Sequence, residues 1–566
     1  MFLKTNIMIS SVFSRVSSHF GVEHIFGLLG EGNLNLVLAC EKNGQKWIAL
    51  RHEMASVVAA ESYSQSKGLG VAFVTHGPAL LNALNPLVAG LKSNTSIVLV
   101  TGEINESNTS APQWCDQRTI VQSLGIKYFR VNGSESALNV IVEAFNFAVR
   151  ERVPVVLAIP TDMQTLPHKD FEAVDDMFYR NESILESELD SSSATILEIE
   201  VKDDQMSRIV KLIEASQFPV ILAGRGAFHA KNELDGLGQK IGALMATTLL
   251  GTGFFADSDW GIGFVGGFQR KFTYEFLMRA DLILVFGASL NQFTLGYSDV
   301  LKQKTLISIN LKKGLVEGKL KNLHEIVGDS ARTARTLIHN LVVQQTGFRS
   351  EEVRKEIYDF DIESEFEDKS GEYGLDSRRI SCFLDEQVPL PRGLTADLGY
   401  FTSEPVKIID VTNPRHFAWP LSFGSIGVGV SSAIGLSYAN PHLPIICAIG
   451  DGGLMSCIQE LDTVSRYNLP IVIAVFNDSS YNVEYQFLTE MKDNLSISIF
   501  DDRSFADIAS AFGIRSYEAR KISDLTALSD SLRKIDRPVL IDFKVDRNII
   551  TEWWEDILQI VRHGKT

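Results

Sequence analysis

The stretch Pro444-Ile-Ile-Cys-Ala-Ile449, Gly450-Asp451-Gly452-Gly453, Leu454–Tyr467, Ile471–Phe476 and Asn477-Asp478-Ser479-Ser480-Tyr481 decides the fold. The first apolar run reads as a buried strand, Leu454–Tyr467 has helical apolar spacing, and Ile471–Phe476 is a second buried strand. A strand–helix–strand crossover is right-handed, which makes the two strands parallel and puts both carboxyl ends on one sheet edge. Asp451 and Asp478, 27 residues apart, stand at those two ends. Two carboxylates beside a glycine turn that opens a helix suit a divalent cation holding a phosphate group. Free N–H groups at the helix start face the phosphate, and glycine lets it approach. Magnesium takes one or two carboxylates together with substrate phosphates.

Outward from this unit the same alternation continues. Ahead of it, Ile9–Phe20, Met54–Lys67, Leu80–Lys92 and Ala137–Arg150 read as helices. Lys46–Leu50, Val71–Thr75, Ser96–Thr101 and Val155–Ile159 read as strands. Pro219–Gly224, Asp281–Gly287 and Thr305–Ile309 are strands of a middle unit. Alternating strand and helix argues for doubly wound parallel sheets. The expected fold is therefore α/β with three such domains, spanning 1–180, 200–345 and 370–566. An acidic, Ser-rich stretch at 162–201 and a charged one at 350–370 are the expected linkers.

Length suits this division, since 566 residues correspond to about three domains of ordinary size. Hydrophobic residues make up 45% and charged residues 22% of the chain, enough apolar material for large cores. Lys and Arg number 53 against 70 Asp and Glu, a net charge of −17. That excludes nonspecific nucleic-acid binding, which needs basic surface. The five cysteines are scattered, with no zinc spacing. The first residues lack a secretory pattern, and no stretch reaches the roughly 18 apolar residues of a membrane span. The expectation is a cytoplasmic protein.

Gly450-Asp451-Gly452 followed at that distance by Asn477-Asp478 resembles the diphosphate-anchoring motif of thiamine-diphosphate enzymes. These are the relatives of acetolactate synthase, pyruvate decarboxylase and benzoylformate decarboxylase. The family usually has Asn as second ligand, so Asp478 is a departure. The resemblance implies a pyrimidine-binding, a central and a diphosphate-binding domain. It also implies that Asp451, Asp478 and the Ser480 carbonyl bind Mg²⁺, with Gly450, Gly452, Gly453 and Tyr481 around the diphosphate. Arg51-His52-Glu53 resembles the place where these enzymes keep the Glu that hydrogen-bonds the aminopyrimidine ring. Phe423-Gly-Ser-Ile-Gly-Val-Gly429 matches the cofactor wedge, with Ile426 as the bulky side chain and the Gly424 carbonyl as an acceptor. A bland alternative for Glu53 is a helix-terminus charge, worth a few tenths of a kcal/mol.

Four residues are candidates to touch substrate. Glu31, in Leu29-Gly30-Glu31-Gly32-Asn33, resembles the acidic loop of the decarboxylases. Glu484, in Tyr481-Asn-Val-Glu484, resembles the pyruvate-decarboxylase segment ending in a catalytic Glu. Gln113 and Thr75-His76-Gly77-Pro78 follow the synthase pattern, with His76 inserted at a strand end. The histidine pair of the decarboxylases has no counterpart in Ala111–Asp116. His76 could instead cap the next helix, and His52 should turn away from Glu53.

The resemblance therefore implies C–C bond making or breaking next to a carbonyl, as decarboxylation or carboligation of a 2-keto acid. Alternatives are a 1,2-diketone hydrolase of the same family and a noncatalytic cofactor-binding homologue. A homodimer or homotetramer with sites at subunit interfaces is implied. Some members keep FAD in the middle domain, and the turn Gly224-Arg-Gly-Ala227 also admits a nucleotide reading, with strand-to-helix packing as its rival.

Overall fold

The computed structural model describes residues 7–105, 107–168, 203–295, 300–316, 320, 322–342 and 346–562. The stretch 162–201 thus lies, from residue 169 on, outside the described residues. Three six-stranded sheets, every neighbouring pair parallel, carry the fold. The first runs Lys46–Ala49, His24–Gly27, Gly70–Val74, Ile97–Thr101, Pro154–Ala158 and Lys127–Arg130 across the sheet. The third runs Phe417–Ala418, Gly393–Ala396, Ile445–Gly450, Ile471–Asn477, Val539–Lys544 and Arg515–Ala519. Counted within each domain, both have the order 2-1-3-4-6-5. The middle sheet runs Gly261–Val265, Leu244–Thr248, Pro219–Ala223, Leu282–Phe286, Thr305–Asn310 and Leu323–Val327, in the order 3-2-1-4-5-6.

Strand order decides where a site forms. In open α/β sheets the crevice opens where the order reverses, outside the carboxyl ends of the strands. In the third sheet that point lies between Gly393–Ala396 and Ile445–Gly450, so Asp397 and Asp451 flank it. In the first sheet it lies between His24–Gly27 and Gly70–Val74. There the flanking segments are the Glu31 loop and Thr75-His76. Gly450 registers with Phe476 on the adjoining strand, so Asp451 and Asp478 leave the sheet almost level.

The two outer domains pack directly. Helix Glu53–Lys67 crosses helix Gly429–Ala439, and Ser62 Oγ lies 2.7 Å from Ser432 Oγ. Any Cβ at Gly435 would stand 2.0 Å from the Ala59 carbonyl oxygen, so glycine sets this close approach. The Glu460 carboxylate accepts the Arg51 N–H at 3.0 Å, and the Tyr467 hydroxyl accepts the Ala49 N–H at 2.9 Å. These bonds clamp the strand end just before Glu53 onto the third domain. No helix among the described residues is long and apolar enough to cross a membrane.

Three elements differ from expectation. The helix expected over Leu454–Tyr467 is two, Asp451–Ser456 and Glu460–Arg466. Leu454, Cys457, Leu461 and Val464 enter one core, so their spacing reads through the break. The helix expected over Leu80–Lys92 is Pro78–Asn82 followed by Leu84–Lys92. Pro86 has no N–H, and the break puts it in a first turn, where none is needed. The charged stretch at 350–370 is not plain linker. It holds helix Glu351–Tyr358, capped by Ser350 Oγ, which accepts from the Val353 N–H.

Candidate active site

Asp451 opens its helix as the first residue and is 7% exposed. Its Oδ1 accepts the Gly452 N–H at 2.8 Å. Asp478 is held at both oxygens: Ser480 Oγ donates to Oδ1 at 2.7 Å and Asn482 Nδ2 to Oδ2 at 2.8 Å. Burial pushes both carboxyls above the ordinary range, and the Asp478 charge adds to the rise at Asp451. Two buried carboxylates facing each other are costly unless a cation joins them. The donor set therefore fits a divalent cation, with the Ser480 carbonyl as a third oxygen on the same loop.

The wedge segment is fixed from behind. Asp397 is fully buried, and its Oδ2 accepts the N–H groups of Gly427, Val428 and Gly429 at 2.9, 3.1 and 3.2 Å. Its Oδ1 accepts the Leu398 N–H at 2.7 Å. Burial lifts the Asp397 pKa to about 6, against the pull of these donors. Asp397 follows directly on the strand Gly393–Ala396. In front of Asp397, Ile426 is 37%, Phe423 46% and Tyr481 42% exposed. Large apolar side chains left in water beside a crevice mark a surface meant to be covered. No atom lies within 4 Å of a Cβ built on Gly424, so space is open there.

Glu53 is the first residue of its helix, and Asn82 Nδ2 donates to its Oε2 at 3.1 Å. His52 turns away and caps the helix, its Nδ1 accepting the Met54 N–H. Met54 packs with Leu398, Leu421 and Val428 of the third domain. Ser425 Oγ donates to Asn85 Oδ1 at 2.7 Å. The Glu53 side and the Gly424–Ile426 side therefore adjoin within one chain.

His76, Gln113 and the Glu31 loop also converge. His76 is 8% exposed, and its Nε2 lies 2.7 Å from Gln113 Oε1. With that oxygen as acceptor, Nε2 carries the hydrogen and Nδ1 is the bare nitrogen. Nδ1 is buried and has no hydrogen-bond partner. A Cβ on Gly32 would come within 2.6 Å of it, so only glycine lets the Glu31 loop lie on the imidazole. His76 does not cap the following helix, whose N-cap is Gly77. Glu31 and Glu484 are both exposed, Glu484 in the first turn of helix Asn482–Met491. No described contact brings either to the other candidates.

The middle-domain turn is closed on itself. The Gly224 N–H is taken by Phe286 O, Gly226 by Gly287 O and Ala227 by Gly224 O. Arg225 runs buried into the first domain and donates to the Ser93 carbonyl. The N–H groups of Gly224, Gly226 and Ala227 are thus taken within the domain, and these glycines serve strand-to-helix packing.

Glu460 gives the site's support a pH dependence. Its pKa is raised to about 7, mainly by burial, although Thr463 and the Arg51 N–H donate to it. A folded pKa above the unfolded one means stability that is complete below the ordinary Glu range and is lost as pH rises through about 7. Thermal unfolding of the cofactor-free protein is expected at falling temperature from about pH 5 to about pH 8. Glu460→Gln should flatten that fall. A variant with the wild-type slope would locate the effect elsewhere.

Residues 8–122 match the family "Thiamine pyrophosphate enzyme, N-terminal TPP binding domain". Residues 206–337 match its central domain and 397–543 its C-terminal TPP binding domain. The chain belongs to the thiamine-pyrophosphate-dependent enzyme family. Among its relatives is a probable acetolactate synthase large subunit of Methanococcus aeolicus, 25% identical, with 93% of this chain and 90% of the relative covered. The acetolactate synthase isozyme 2 large subunit of Escherichia coli K12 is 24% identical, with 93% of each chain covered. A thiamine diphosphate-dependent 4-hydroxybenzoylformate decarboxylase of Rhodococcus jostii RHA1 shares the fold. Its TM-score is 0.75 at 18% identity, over 95% of this chain and 99% of that one.

Proposed function

We propose that this chain uses thiamine diphosphate and Mg²⁺ to make or break a C–C bond next to a carbonyl, with a 2-keto acid as donor. The observation that carries the reading is the pair of carboxylates at adjacent strand ends, Asp451 buried and Asp478 half-buried. A noncatalytic scaffold gains nothing from their mutual repulsion. The synthase relatives support the substrate class.

Asp451, Asp478 and the Ser480 carbonyl hold the metal. Gly450, Gly452 and Gly453 bring backbone to the diphosphate, and Tyr481 stands beside them. Ile426 would support the bound cofactor from below, and the Gly424 carbonyl would accept from its amine. Glu53, steadied by Asn82, accepts from the pyrimidine ring. Bound thiamine diphosphate supplies the electron sink that the bond next to the carbonyl requires. His76, held by Gln113, hydrogen-bonds the substrate and passes protons to or from it. Glu31 and Glu484, exposed on their loop and helix start, are the carboxyl groups offered to the substrate. The chain assembles as a homodimer or homotetramer, in which a second copy covers the exposed Phe423, Ile426 and Tyr481 and sites lie at subunit interfaces.

The test is a panel of 2-keto acids and 1,2-diketones given to the holoenzyme, with and without an acceptor aldehyde, and products read by mass spectrometry. A 2-keto acid should yield both free aldehyde and 2-hydroxyketone, the ratio moving toward ligation as acceptor is added. Glu484→Gln should slow protonation or product release more than donor binding. Only free aldehyde at saturating acceptor would remove the ligase half of the reading. Cleavage of diketones alone would move the chain to the hydrolases.

A further inference from the structure

Strand Val539–Lys544 lies inside the third-domain sheet, paired on both sides, yet two of its six residues are charged and buried. Asp542 is 0% and Lys544 4% exposed. A central parallel strand is ordinarily apolar throughout, and a buried ion pair gives weak stability at best. Lys544 Nζ lies 3.0 Å from Asp542 Oδ2 and 2.6 Å from Asp502 Oδ1, and it also donates to the Arg503 carbonyl at 2.9 Å. Asp542 Oδ2 accepts the Phe505 N–H at 2.9 Å.

The remaining oxygen points at the metal loop. Asp542 Oδ1 accepts from Asn477 Nδ2 at 2.8 Å. That bond fixes the Asn477 amide, whose Oδ1 then faces Ser479 and accepts its N–H at 3.2 Å and its hydroxyl at 3.3 Å. Ser479 stands at φ +56, a left-handed conformation that a side-chain-bearing residue adopts only when its surroundings hold it. Ser479 separates Asp478 from Ser480. Its backbone rotation decides whether the Asp478 carboxylate and the Ser480 carbonyl face one point.

We propose that Asp542 and Lys544 are positioning residues for the Mg²⁺ half of the site, acting through Asn477 on the left-handed turn at Ser479. This rests on the metal reading of Asp478 and Ser480 given above. Neither residue touches the metal. Lys544 holds the Asp542 carboxylate in place, Asp542 orients the Asn477 amide, and Asn477 holds the turn. Partners bonded directly to a ligand typically govern about 10–100-fold of metal affinity, and Asp542 acts one link further out, which places it at the low end of that range.

The experiment titrates Mg²⁺ calorimetrically into protein saturated with thiamine diphosphate. The proteins are wild type, the paired variant Asp542→Leu with Lys544→Met, and the single variant Asp542→Asn. Replacing a whole buried ion pair by apolar residues is often neutral for folding, so the paired variant should melt near the wild-type temperature. It should nevertheless need roughly 10-fold more Mg²⁺, the low end of the range for partners of a ligand. Asp542→Asn keeps the volume and one acceptor oxygen, and it should weaken Mg²⁺ binding less. Either variant melting like wild type and taking Mg²⁺ with wild-type affinity would overturn the proposal. Should the paired variant fail to fold, the single one decides. Wild-type protein that binds no Mg²⁺ with the cofactor would instead sink the metal reading itself, so the two failures are distinguishable.

Discussion

Glu53→Gln is expected to slow hydrogen exchange at C2 of bound thiamine diphosphate by about 10²–10⁴-fold, the usual range for a positioned acid–base group. Cofactor affinity should stay near wild type. The physical reason lies in how the side chain is held. Glu53 starts its helix, and Asn82 Nδ2 occupies Oε2 at 3.1 Å. That leaves Oε1 free of a described donor and aimed by the helix start. Two further contacts bring this end of the helix to the wedge segment: Met54 packs on Leu421 and Val428, and Asn85 accepts from Ser425. Glutamine fills the same volume and keeps the Asn82 contact through its carbonyl oxygen. It loses the negative charge that draws a proton onto the ring nitrogen. Proton–deuterium exchange followed by NMR reads this step without any substrate. A Glu53 that is only a helix-terminus charge would contribute a few tenths of a kcal/mol to folding and nothing to exchange. Wild-type exchange in the variant, with an equally small change in melting temperature, would reduce Glu53 to that role.

The fold was legible where one physical signal dominated. Buried parallel strands such as Ile445–Gly450 and Ile471–Asn477 are continuous apolar runs, so their expected limits agree with the structure to within a residue or so. Edge strands are half exposed and mixed, and Lys127–Arg130 and Arg515–Ala519 escaped notice for that reason. Helix breaks also escaped where the apolar spacing carried through them, as at Cys457–Gln459. Pro86 announced a break that periodicity alone hid. In the proposed site, Glu53, Asp451 and Asp478 stand in local motifs that a reading along the chain reaches. Residues that act by bringing distant segments together do not. Asp397 meets Gly427–Gly429 some thirty positions later in the chain. Asp542 meets Asn477 across a strand pairing. Gly32 matters only because His76 lies beneath it. Such contacts exist only once the parallel register is set, and no spacing along one strand encodes them.

Asp451→Ala should abolish Mg²⁺-dependent retention of thiamine diphosphate while leaving a folded protein that is at least as stable without cofactor. The two halves of that expectation come from one electrostatic fact. Asp451 and Asp478 stand side by side, and burial together with the Asp478 charge raises the Asp451 pKa. A folded pKa above the unfolded value means that ionisation opposes folding as pH rises through it. At neutral pH the cofactor-free protein therefore bears a cost that alanine removes, against which stands only the loss of the Gly452 N–H bond. A divalent cation inverts the balance, because two carboxylates that repel each other both attract it. Without Asp451 a metal would have only one carboxylate and the Ser480 carbonyl from this chain, too few ligands to hold it and the anionic diphosphate together. Affinity should fall by more than the roughly 100-fold that loss of a supporting partner costs. Calorimetric titration with cofactor and Mg²⁺ measures the first half, and thermal melts of the cofactor-free protein at pH 7 to 8 measure the second. Binding at wild-type strength would remove Asp451 from the metal site. A large drop in melting temperature together with lost binding would make the residue a fold determinant, and the assignment would pass to Asp478→Ala under the same two measurements.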